Sequence, residues 1–122
     1  MTKMTEKHYY IADEFSKYPV GRIPADGKYN GERFRKEVLI PLIKSYDKVF
    51  IHLDGTRGYG SSFLEESFGG LVRYFDTDAK NKISKLIIVT RKPHWQQEVQ
   101  QYIEDALKII SKRQEDYLNG QS

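Results

Sequence analysis

The residues best placed for chemistry are two serines, Ser61 and Ser62, in the run Gly58-Tyr59-Gly60-Ser61-Ser62-Phe63-Leu64-Glu65-Glu66. They follow a glycine-flexed turn after residues 48–54, an apolar run that reads as a buried strand. A strand, a turn and a helix start set hydroxyls beside unpaired main-chain N–H groups and the positive end of a helix dipole. Negative charge is favoured there. Three chemistries fit: a plain helix cap, a phosphate site, or a serine that accepts a phosphoryl group. Ser62-Phe63-Leu64-Glu65 has the spacing of a capping box, in which the serine contributes about 1 kcal/mol. A phosphoryl group on Ser61 or Ser62 would add roughly two negative charges facing Glu65 and Glu66, a repulsion able to expel a partner.

Other side chains offer less. Gly55 and Gly60 are spaced like the glycines of a phosphate-binding loop, but Ser61 stands where the lysine is required. Gly58-Tyr59-Gly60 opens like a dinucleotide fingerprint, and Phe63 then occupies the third glycine position. His52 and Asp54 lie two apart on a strand and share a face near its C-terminal end. With Glu65 or Glu66 they have the makings of acid–base or metal chemistry. The favoured alternative is a histidine hydrogen-bonded to a turn, with Asp54 accepting N–H groups of loop 55–58. One histidine and scattered carboxylates make too thin a metal set, and no metal or cofactor is implied. Arg22, Arg33, Arg35 and Arg57 form a candidate basic rim. Arg57, five residues before Ser62, either holds a phosphate bidentately or pairs with Asp54 or Glu66. Arg91-Lys92-Pro93-His94-Trp95 suits base stacking, or a Trp packed under the last helix.

These residues need a scaffold, and its pattern is regular. His8 to Ala12 reads as a first strand, residues 48–54 as a second, and residues 83–90 as a third, buried on both faces. Between the first two lies an irregular segment in which Asp26-Gly27 signals a tight turn able to close a short hairpin. Asn30 caps a helix bearing Phe34, Val38 and Leu42 at helical spacing, which Pro41 should kink or shorten. A second helix runs from about Ser62 to Phe75 with Leu64, Phe68, Leu71 and Phe75 as its apolar stripe. Gly69-Gly70 inside it points to close approach by the sheet or a partner. Residues 76–82 read as a polar loop. Pro93 suits the first turn of a last helix whose inward face carries Val99, Ile103, Ala106 and Ile110. Alternating strands and helices predict a small α/β sandwich with parallel pairings.

Bulk properties exclude several classes. With 122 residues the chain is one domain, its core spanning about residues 8–113 between frayed ends. Hydrophobic residues make up 39% and aromatics 13%, which is a globular rather than a disordered composition. There is no cysteine, hence no disulfide or thiolate chemistry. No apolar run approaches a membrane span and no signal peptide is evident, so a cytoplasmic protein is the default. The formal charge of +3 comes from residues 1–48, which hold ten Lys and Arg against seven Asp and Glu. So small and spread an excess makes nucleic acid an unlikely partner.

The strand-turn-helix resembles that of STAS domains, named for sulfate transporters and anti-sigma-factor antagonists. Those domains place an Asp-Ser-Ser-Gly-Leu turn after a buried strand, and in the bacterial antagonists a serine there is phosphorylated. Gly60-Ser61-Ser62-Phe63-Leu64 puts Ser62 on that acceptor position. More closely, the chain resembles the STAS-like bacterial DUF4325 family. The resemblance rests on Pro19-Val20-Gly21-Arg22, Gly31-Glu32-Arg33-Phe34-Arg35 and Ser61-Ser62-Phe63-Leu64-Glu65-Glu66-Ser67-Phe68-Gly69-Gly70-Leu71, across about residues 8–92. It implies a small sandwich with a mixed sheet and parallel strand pairs. The implied activity is a non-enzymatic regulatory module whose partner is a protein of the histidine-kinase-like ATPase class. Ser62, Ser61, Arg57, Phe63, Glu65 and Glu66 would meet the partner. Two positions depart from the antagonist pattern: Gly60 replaces the acidic residue and Phe63 the small glycine. The competing reading is a small-molecule or nucleotide binder built on loop 55–62, using Gly58, Gly60, His52 and Asp54.

Overall fold

The computed structural model describes residues 4–120. Three strands, β1 (Glu6–Tyr10), β2 (Lys48–His52) and β3 (Leu86–Val89), form a sheet in the order β1-β2-β3, and both pairings are parallel. Helix α1 covers residues 31–45, α2 covers 61–75, α3 is Ala79–Ile83 and α4 is Pro93–Asn119. Among the described residues no helix is long and apolar enough to cross a membrane.

Both crossovers step in the same direction, β1 to β2 and β2 to β3. Right-handed crossovers therefore deliver the helices to one side of the sheet. Val49, Ile51 and Leu53 point to that side and are fully buried against Phe34, Leu39, Phe63, Phe68 and Val99. The alternate residues Phe50 and His52 lie on the opposite face with their register partners His8, Tyr10, Ile87 and Val89. None of these six belongs to the core, and β3 is half-buried along its length instead of buried on both faces.

Local chemistry explains the other departures from the sequence reading. The first strand ends at Tyr10, whose N–H donates to the Glu14 carboxylate at 2.8 Å. Ile11–Phe15 then forms one widened helical turn that sinks Ile11 into the core. Asp26-Gly27 closes no hairpin. Pro24–Asp26 is a single helical turn, and the Asp26 carboxylate accepts the N–H groups of Arg22 and Ile23. Asn30 caps α1 as its type predicts, accepting the Arg33 N–H at 2.9 Å.

Pro41 does not end α1. The helix widens over Arg35–Leu39, where the Ile40 N–H bonds five residues back to Arg35, and then runs on to Ser45. Residues 76–82 are largely helical because Ala79 and Ile83 pack with Val72, Ala106 and Ile110. Burial of two apolar residues outweighs the polar composition of that stretch.

Candidate functional site

Helix α2 begins one residue earlier than its capping-box spacing predicts. Gly60 occupies the cap position, with extended backbone and no side chain to offer, and Ser61 and Ser62 are the first two helical residues. The capping box is therefore absent: no side chain caps this end, and Glu65 is engaged elsewhere. Ser61 is exposed beside the Tyr102 hydroxyl of α4, and Ser62 is partly exposed. Phe63 behaves differently from its neighbours. It is fully buried among Phe15, Phe34 and Tyr59, so it anchors the turn from beneath.

One turn further, the motif acids are fastened to arginines. Glu65 receives Arg22 at 2.7 Å and both guanidinium nitrogens of Arg73, at 2.7 and 3.0 Å. Arg73, and after it Arg22, holds the Glu65 carboxyl below the ordinary range although burial pushes the other way. Glu66 pairs with Arg35 and, at 3.4 Å, with Arg22. The same Arg35 nitrogen donates to the main-chain carbonyl of Glu66 at 3.0 Å, inside a widened turn of α2 over Glu65–Gly69. The widened turns of α1 and α2 thus meet at one joint.

Two glycines permit that joint. A Cβ on Gly70 would lie 2.5 Å from Arg35 Nη1, and one on Gly31 would lie 2.8 Å from both the Phe63 carbonyl and the Glu66 Cβ. Gly70 accordingly makes room for Arg35 of α1, and Gly69 for the Glu65 carboxylate of its own helix, rather than for the sheet. Arg73 escaped the sequence reading because it lies eight residues from Glu65 across the widened turn, a spacing outside the usual helical pairs.

The other candidates stand apart from this joint. Arg57 is exposed, pairs with neither Asp54 nor Glu66, and lies 5.7 Å over the Tyr18 ring. Asp54 reaches across to β3's end rather than to loop 55–58. It accepts the Thr90 hydroxyl at 2.5 Å and the Arg91 N–H at 2.9 Å. Burial raises its pKa, and those two hydrogen bonds together with the charges of Arg91 and Lys92 leave it lowered. His52 shares a 2.8 Å hydrogen bond with His8, a neighbour the sequence reading did not assign, and stacks on Tyr10. Burial first, and His8 second, lower its pKa.

His52 and Asp54 line an open groove of about 570 Å³ at the strand ends with Tyr10, Thr90 and Arg91. Gly58, at φ 137, shapes the loop beside it, and Gly60 has open space where a Cβ would be. Among the described residues no group of three or more metal-ligating side chains comes together. Trp95 is buried against Tyr59 under Lys92, so it packs beneath the last helix and presents no face for a base.

No curated protein and no solved structure matches this chain. The profile of the family described as STAS-like domain of unknown function (DUF4325) matches residues 30–91, half of the chain. That segment holds α1, β2, α2 and β3, with Arg35, Glu65, Glu66 and both serines. It leaves Pro19-Val20-Gly21-Arg22 and β1 outside. The joint between the two widened helices, built from Gly31, Arg35, Glu66 and Gly70, lies wholly within the match, and the chain belongs to the STAS-like DUF4325 family.

Proposed function

We propose that this chain is a non-enzymatic regulatory module that binds a protein partner through the exposed start of α2, with Ser62 as its switch. One observation carries the reading: Ser61 and Ser62 open α2 with no side chain capping it, while the next turn is locked by ion pairs. A phosphoryl group there gains the free N–H groups and the helix dipole. It also brings negative charge to a surface whose nearby acids, Glu65 and Glu66, are already neutralised by arginines. The change is therefore one of surface charge with little refolding. Arg57, exposed in the same loop, is the cation available to a partner or to the phosphate. A histidine-kinase-like ATPase is the partner class the family resemblance favours, in a cytoplasmic setting.

The test is phosphorylation by such an ATPase, read by mass spectrometry, together with partner capture by Ser62→Asp and Ser62→Ala. Phosphate on Ser62, and loss of capture by the Asp variant alone, is the expected result. Unmodified serines, and equal capture by both variants and wild type, would overturn the switch.

A further inference from the structure

The two outer strands of the sheet are treated differently. At β1, the Tyr10 N–H is taken by Glu14, and Glu6 and Lys7 place charges along the strand. Such devices blunt an edge against further pairing. Strand β3 has none of them within Leu86-Ile87-Ile88-Val89. The Val49 N–H donates to the Lys85 carbonyl, and the Leu53 N–H to the Val89 carbonyl. The odd-numbered residues of β3 therefore turn their peptide groups toward β2, and Leu86 and Ile88 turn theirs outward. Among the described residues those outward groups have no partner.

An apolar groove of about 330 Å³ runs beside this edge, floored by Ile83, Leu86 and Ile88 and walled by Val99, Gln100 and Ile103 of α4. An unpaired strand edge lying against a helix, with a groove between them, is the geometry that accepts an extended peptide as an added strand.

Charge identifies the occupant. From residue 79 to 97 the chain carries Lys80, Lys82, Lys85, Arg91 and Lys92 and no acidic residue. Lys85 is tied to the Ile43 carbonyl, Lys92 lies over Trp95, and Arg91 donates to Asp54 through its main-chain N–H. Lys80, at one end of the edge, and the Arg91 side chain, at the other, are exposed. The acids of α4 beside the groove lining are Glu98, Glu104 and Asp105; Glu98 accepts the Tyr102 hydroxyl and Asp105 is engaged by Gln101. A second copy fits poorly. Both ends of the edge are basic, with Lys80, Lys82 and Lys85 before it and Arg91 and Lys92 after it, so an antiparallel twofold pairing would bring like charges together.

We propose that β3 docks an extended segment of another protein, apolar at alternate positions and flanked by acidic residues, which joins the sheet as a fourth strand. This surface is independent of the serine turn, so Ser62 variants leave it unchanged.

The test uses the full chain and pools of short peptides with alternating Val and Ile, flanked by Glu and Asp, by Lys, or interrupted by Pro. Fluorescence anisotropy should show binding of the acid-flanked pool only, and amide exchange should slow at Leu86 and Ile88. The Lys80→Glu/Lys82→Glu variant, altered outside the core, should weaken that binding about tenfold. Ile88→Pro, which removes one outward donor, should abolish it. Because Ile88→Pro perturbs packing, the charge variant keeps the test valid if the proline variant unfolds. Three outcomes overturn the proposal: no binding of any acid-flanked peptide, equal binding of the Lys-flanked pool, or concentration-dependent dimerisation that protects Leu86 and Ile88 without peptide.

Discussion

Helix α2 has two ends with opposite design. Its first turn is uncapped and presents Ser61 and Ser62 outward. From Phe63 to Val72 nearly every side chain is buried or fastened, with Glu65 and Glu66 held by three arginines from three parts of the chain. The contrast separates residues that build the joint between α1 and α2 from residues left free to act. Most of the motif specifies how two widened helices cross, and that crossing holds the serine turn at a defined place over the end of β2.

The strongest way to break this division is to open the joint. Arg35 and Glu66 are only 14% and 19% exposed, so removing either partner strands a charge in a poorly hydrated place. Arg35→Ala and Glu66→Ala should each cost about 2–3 kcal/mol in denaturant unfolding, below the penalty of a fully buried pair. The double variant should cost less than the two together, since it leaves neither charge alone. Ser62→Ala should stay within about 0.5 kcal/mol of wild type. A Ser62 effect as large as that of Arg35 would erase the distinction between the two ends.

That division was only partly legible in the residue pattern. The order of strands and helices follows from apolar periodicity and from Asn30 and Pro93, and these fall where their types predict. The joint was not legible. Helical spacing assumes a uniform turn, and the two widened turns re-aim Arg35, Glu65 and Arg73 in ways no i,i+4 rule registers. For the same reason Gly69-Gly70 suggested close approach by the sheet or a partner, when Gly70 clears Arg35 and Gly69 clears the Glu65 carboxylate. The one-sided sheet was hidden as well. Ile87 and Val89 look like core by type, and only the shared direction of both crossovers leaves them uncovered. The serines were legible as a helix start. The neighbouring Glu65 made a cap look natural, when its carboxylate was already claimed by Arg22 from a distant segment and by Arg73 two turns on in the same helix.

The joint also has an acid signature that the serine end lacks. The Glu65 pKa is lowered in the folded state from an ordinary 4.5, chiefly by Arg73. A depressed carboxyl stabilises the fold above its unfolded pKa, and that contribution is lost as pH falls below about 4.5. Unfolding free energy measured against pH should therefore decline below that point, and Glu65→Gln should flatten part of the decline. Ser61→Ala should leave the profile in place. An unchanged profile in Glu65→Gln would mean that the Arg73 and Arg22 pairs are too hydrated to matter, and the clamp would rest on Glu66 alone.

The smallest effect bears most directly on why the serine end is bare. Gly60 already has cap-like extended backbone, φ −75 and ψ 152, and a Cβ added there meets nothing within 4 Å. Gly60→Asp should therefore enter without strain, accept a main-chain N–H of the first turn and place a negative charge at the helix start. Replacing a glycine cap by aspartate is worth a few tenths of a kcal/mol, read as a small rise in unfolding free energy. The substitution also makes the turn more acidic, as in the anti-sigma-factor antagonists, and competes with a phosphoryl group for the same N–H groups. A gain in stability joined to slower phosphorylation of Ser62 would identify the missing cap as an opening kept for an incoming anion. A gain in stability with unchanged modification would detach the bare cap from the switch, and the exposed serines alone would then have to account for it.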